Sequence, residues 1–130
     1  MKRSIVFLSL MCLSGFFSAA LAHHSAVVFE NDRTILITGT VSQFILRNPH
    51  MIVTLDVPDE SGDIVEWDIE CQSIAGMAAM GFDRTSIAVG DEITMKVYPL
   101  RSGRPGGLVE GVIAADGRAY NMEAPRSAQR

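Results

Sequence analysis

Between Ile64 and Cys71 the chain reads IVEWDIEC, with Val65, Trp67, Ile69 and Cys71 on one side of an extended backbone and Glu66, Asp68 and Glu70 on the other. Successive side chains of a strand point to opposite faces, so this run has one face for a core and one for water. A chain with that pattern at its centre folds around a sheet, and the flanking segments say which kind.

The run from Thr34 to Phe44 is rich in β-branched residues, which suit a pleated surface, and Gly39 in its middle predicts a bulge or a sharp bend. Asn48-Pro49 breaks the chain. A second strand follows from His50 to Val57, then a turn of Pro, Asp, Ser and Gly chemistry from Pro58 to Asp63, then the alternating third strand. Ser73 is placed to cap a short helix whose Ile74, Met77 and Ala78 share one side, with Gly81 as its stop. Val89-Gly90-Asp91 turns into a fourth strand, Glu92 to Tyr98, with Ile93, Met95 and Val97 on one face. Arg101 to Gly107 reads as a Gly- and Pro-rich loop. A fifth strand, Leu108 to Ala114, and a short last one, Arg118 to Met122, join at Asp116-Gly117, a hairpin signal.

Three strands, one helix and then further strands is the order of the OB-fold. The expected class is therefore mainly β, a small OB-fold-like β-barrel with one short helix between strands three and four. An unspecified antiparallel sandwich has the same strand count; the single helix after the third strand separates the two.

The amino-terminal segment sets the expected compartment. Lys2 and Arg3 precede an apolar stretch from Ile5 to Phe17, and Ala20-Leu21-Ala22 supplies the small residues of a cleavage site. The apolar run is interrupted by Ser9, Ser14 and Gly15 and falls short of the ~20 residues a membrane span needs. The expected layout is a signal peptide over 1–22, an amino-terminal arm over 23–33, a β-barrel domain over 34–124 and a flexible tail over 125–130, with a periplasmic or secreted mature protein and no stable membrane span. Cys12 leaves with the signal, so Cys71 has no intramolecular disulfide partner; its place on the Trp67 and Ile69 face makes it a small buried hydrophobe with an inert sulfur.

Charge excludes one class of partner. Fifteen acidic residues stand against eleven basic ones, a net charge of −4, and removal of Lys2 and Arg3 makes the balance more acidic still. Nucleic-acid affinity comes largely from Lys and Arg neutralising phosphates, so no nucleic-acid partner is expected. Catalysis also lacks support: the sequence holds no recognisable nucleophile and base pair, no glycine-rich phosphate loop and no His-Glu-x-x-His motif. The protein reads as a non-enzyme.

The chemistry that remains belongs to three histidines. Cleavage after Ala22 makes His23 the first residue, with its α-amine free, followed by His24; the third, His50, follows Pro49 at the mouth of the second strand. Copper binds well to imidazole and amine nitrogen, and an amino-terminal histidine offers both from one residue. His23 with His50 or His24 would supply the three nitrogens of a histidine brace. Met77 and Met80, at i and i+3, have the spacing of a thioether pair for copper(I), but Met77 reads as packing under the helix, Met51 and Met95 as core fillers, and the carboxylates of the third strand as a solvated face.

His23-His24-Ser25, Thr38-Gly39-Thr40-Val41, Asn48-Pro49-His50, Trp67, Gly81-Phe82-Asp83-Arg84 and Val89-Gly90-Asp91 together resemble a family of small exported bacterial proteins of unknown function. The resemblance covers nearly all of the mature chain and implies a periplasmic, single-domain β-protein. It singles out His23, His24, Asn48, Pro49 and His50 but implies no activity for them. The chain departs from the family pattern at Cys71-Gln72 and at Met80.

Two functions follow as expectations. The first is a non-enzymatic metal-binding protein that takes copper, with zinc in second place, through His23, His24 and His50. The second is an OB-fold-like binding module that holds a small molecule, an envelope polymer or an envelope protein with its barrel face and two loops, one containing Asn48 and Pro49 and the other Arg101 and Arg104.

Overall fold

The computed structural model describes residues 26–122. The signal segment, His23, His24 and the tail over 125–130 lie outside the described residues.

Six strands form one sheet: β1 (Ile35–Ile45), β2 (Ile52–Pro58), β3 (Ile64–Glu70), β4 (Glu92–Pro99), β5 (Gly106–Ile113) and the short β6 (Ala119–Tyr120), with one helix, α1 (Ile74–Ala79), between β3 and β4. Their order is β3-β2-β1-β4-β5-β6, and β3 also pairs with β5 in parallel, so the first five strands close into a barrel with α1 between the third and fourth. This is the OB-fold arrangement.

The long first strand makes closure possible. Thr40 pairs with Asp56 of β2 on one edge and with Glu92 of β4 on the other, so β1 serves two neighbours along its length. The register slips between Val41 and Gln43, where the extra residue bends the strand. The bulge thus lies beyond Gly39. Gly39 answers a different need, close approach: a Cβ there would lie 2.7 Å from the carbonyl oxygen of Asp56.

The barrel interior is filled by alternate residues of each strand, among them Val41, Val53, Leu55, Ile69, Met95 and Val112, all essentially inaccessible to water. Burying one such side chain contributes roughly 1.5–3 kcal/mol. Cys71 is buried with them. The alternation in β3 holds, but Val65 and Trp67 are only half-buried, because β5 joins β3 no earlier than Asp68.

β5 begins two residues before Leu108. Gly106 and Gly107, which read as loop from their composition, are buried strand residues at the closing seam. A Cβ on Gly106 would meet Asp68 O at 3.0 Å, and one on Gly107 would meet Tyr98 O at 2.7 Å. Glycine is required there for the approach of neighbouring strands.

The helix is short and doubly capped. Ser73 Oγ accepts a hydrogen bond from the Gly76 amide at 3.1 Å, and Asn48 Oδ1, from the β1–β2 loop, accepts one from the Ile74 amide at 3.2 Å. Both satisfy amides left unpaired in the first turn. Met77 is fully buried beneath it, whereas Ile74 and Ala78 are exposed and border an open apolar cleft with Leu46 and Phe82. Gly81, at φ 82°, lets the chain turn out of the helix.

Among the described residues no helix is long and apolar enough to cross a membrane.

Candidate functional site

Asn48, Pro49 and His50 end the loop that leads into β2. The Asn48 cap fixes one side of this loop to α1, and on the other side Met51 joins the barrel through its amide to Gln72 O at 3.2 Å and its carbonyl to the Cys71 amide at 2.8 Å. His50 is therefore held between two anchored points. Its Nδ1 lies 2.9 Å from Glu70 Oε1 and 3.1 Å from Cys71 O. Both neighbours are acceptors, so the proton of the neutral ring sits on Nδ1 and Nε2 carries the free lone pair. Glu70 comes to His50 through register: it pairs with Ile52, two residues after the histidine.

A shallow cleft of about 390 Å³ opens here, lined by Arg47, Asn48, Pro49, His50, Ile52 and Glu70. His50 and Glu70 keep 43% and 30% of their side-chain surface exposed, so both are reachable from solvent. Among the described residues no three His, Cys, Asp or Glu side chains converge as a metal site. Cys71 is withdrawn from such chemistry: burial, with the Glu70 charge adding, pushes its thiol up to about 12.

The second loop lies elsewhere. Arg101 binds the amino-terminal arm, its amide donating to Val28 O at 2.9 Å and its Nε to Val27 O at 3.0 Å. Arg104 borders a separate depression with Glu66, Asp68, Leu100 and Pro105. Leu100 bonds to Gly106 and Gly106 pairs with Asp68, so the Arg101 loop meets β3 upstream of Asp68, whereas His50 meets β3 at Glu70. The structure thus brings together Asn48, Pro49 and His50 and sets Arg101 and Arg104 apart from them. The described part of the arm is pinned at Arg101 through Val27 and Val28, and His23 and His24 lie outside the described residues.

A family model described as a family of unknown function (DUF6152) matches residues 10–110. The chain belongs to this family. The match takes in β1 to β4 and the His50 cleft, so the geometry above describes a DUF6152 protein over most of its family region. Among solved structures the chain is similar to the mitochondrial single-stranded DNA binding protein Rim1 of S. cerevisiae. Two of its crystal structures, one of them selenomethionine-labelled, give TM-scores of 0.48 and 0.49 at 10% identity, covering 63% of this chain and 92% of that one. No curated protein matches the chain.

Sequence reasoning missed Glu70 as part of the site. Its alternation placed it on the solvated face, and only the pairing of β2 with β3 brings that face to His50. The same hairpin concentrates charge: from Asp56 to Glu70 there are seven carboxylates, and no Lys or Arg occurs between Arg47 and Arg84.

Proposed function

We propose that this protein is an exported, non-enzymatic binding module of the cell envelope that takes copper, or zinc in second place, through Nε2 of His50, with nitrogens of His23 and His24 completing the site. The observation that carries the reading is the anchoring of Nδ1 by Glu70 and the Cys71 carbonyl. A metal-binding imidazole commonly donates its other N–H to a carboxylate or carbonyl, which fixes the tautomer and the ring direction. The carboxylates of the β2–β3 hairpin also favour a cation over a phosphate backbone, so nucleic acid is not the proposed ligand.

The test is a Cu(II) titration of the exported protein after mass spectrometry has fixed its first residue, read by electron paramagnetic resonance. One equivalent bound with nitrogen couplings that vanish in His50→Ala supports the site. Removal of His23 and His24 then separates two forms of it: loss of couplings assigns them as ligands, and unchanged couplings assign the cleft alone. Copper uptake equal in protein and His50→Ala overturns the metal reading.

A second reading is favoured by the presence of Arg47 on the cleft wall beside Asn48 and Pro49. A small molecule or envelope polymer held there would be captured equally well in the presence of a chelator, and capture that needs metal counts against it.

A further inference from the structure

β3 is paired unevenly. Along one edge all seven of its residues face β2, from Ile64 opposite Pro58 to Glu70 opposite Ile52. Along the other edge β5 reaches only Asp68, Ile69 and Glu70. Among the described residues no backbone group of Ile64 to Trp67 has a partner on that second side. The backbone groups of Ile64 and Glu66, which face that side, are left open, and an open edge is a template for another extended chain.

Two features beside this edge say what chain would fit. On the core side lies a mainly apolar cleft of about 320 Å³, lined by Val57, Pro58, Val65, Trp67, Gly103 and Pro105, with the carboxylate of Asp59 at its rim. Its volume suits one or two apolar side chains, and the half-buried Trp67 ring supplies much of its wall. On the solvent side Glu66 points outward, with Asp63 and Glu60 exposed in the turn below. One basic group, Arg104, borders the same depression as Glu66 and Asp68, against the carboxylates of Glu60, Asp63, Glu66 and Asp68 along this side. An added strand would place alternate side chains in the cleft and the others against these carboxylates. A second copy of this chain would bring like charge to like charge.

We infer that the Ile64–Trp67 edge of β3 accepts an extended peptide segment of a partner protein as an added strand, one that alternates basic and apolar residues. Backbone hydrogen bonds to the edge give affinity, and the Trp67 cleft together with Glu66 gives specificity. This surface is independent of the His50 cleft, which lies at the other end of β3.

Trp67 is the only tryptophan of the chain, so its emission reports the site directly. The probe is a synthetic hexapeptide, Lys-Val-Lys-Phe-Lys-Val with blocked ends, titrated into the purified protein. A saturable blue shift is expected, weakened about tenfold or more by Glu66→Lys or by replacing the peptide lysines with glutamates. Glu66 is exposed, so its substitution leaves the barrel folded, which far-UV circular dichroism checks. N-methylation of alternate peptide amides, which removes the edge hydrogen bonds and keeps the charge, should abolish the shift. Equal binding of the N-methylated peptide overturns strand addition, as does the absence of any saturable shift. Tighter probe binding on deletion of residues 123–130 would assign the edge to the chain's own basic tail and overturn the partner.

Discussion

The Nδ1 atom of His50 stands 2.9 Å from Oε1 of Glu70, a residue twenty positions along the chain that only the β2–β3 register brings near. Glu70→Ala should therefore turn the ring loose without removing it. Nitrogen NMR of labelled protein is expected to show the Nδ1–H tautomer losing its dominance, and the copper binding proposed above should weaken by roughly 10–100-fold, the usual effect of deleting a partner behind a metal-bound imidazole. A tautomer ratio that does not change would show that the Cys71 carbonyl alone orients His50.

Cys71 should be silent toward thiol reagents in the folded protein at neutral pH and react fully in denaturant. Burial is the main cause, since it penalises the thiolate and raises the thiol to about 12 from its ordinary 9.0. The unfolded chain ionises first as pH rises, so the contribution to stability is complete below about 9 and is lost between about 9 and 12. Cys71→Ala should flatten that part of the stability profile. Rapid labelling of the native protein would contradict this account.

Gly107→Ala is expected to destabilise by about 1–3 kcal/mol, because the new methyl would press on two neighbouring groups with little room to yield. Its carbon would lie 2.7 Å from the backbone oxygen of Tyr98 and 3.2 Å from Val97 Cβ. A lowered urea midpoint with an unchanged slope is the expected result.

Tyr120 separates ring from hydroxyl. The ring is buried and meets Phe82 edge-on, with centroids 5.2 Å apart, while the hydroxyl has no hydrogen-bond partner among the described residues. Tyr120→Phe should therefore leave stability unchanged or raise it by about 1 kcal/mol, and Tyr120→Ala should cost roughly 3–5 kcal/mol. A marked loss on Tyr120→Phe would reveal a partner for the hydroxyl.

The barrel order was legible from alternation in β3 and β4, the Ser73 and Gly81 signals around one short helix, and the Asp116-Gly117 hairpin. What escaped was set by contacts between strands. Gly106 and Gly107 have loop composition, and only the proximity of Asp68 O and Tyr98 O explains why strand glycines stand there. Gly39 marks a close approach and the bend falls at Val41 and Gln43, which no local pattern distinguishes. Ile74 and Ala78 have helical spacing toward a core, but a six-residue helix over a barrel end buries only Met77. His50 stood out as one of three histidines, whereas Glu70 was hidden among the carboxylates of its face.

Closure between β3 and β5 depends on three residue pairs, Asp68 with Gly106, Ile69 with Gly107 and Glu70 with Leu108. Every other seam of the barrel has more, so this one returns the least for the chain it orders. The barrel has a built-in zip. Amides of Gly107 and Glu70 should exchange with solvent hydrogen sooner than those of β1 and β4.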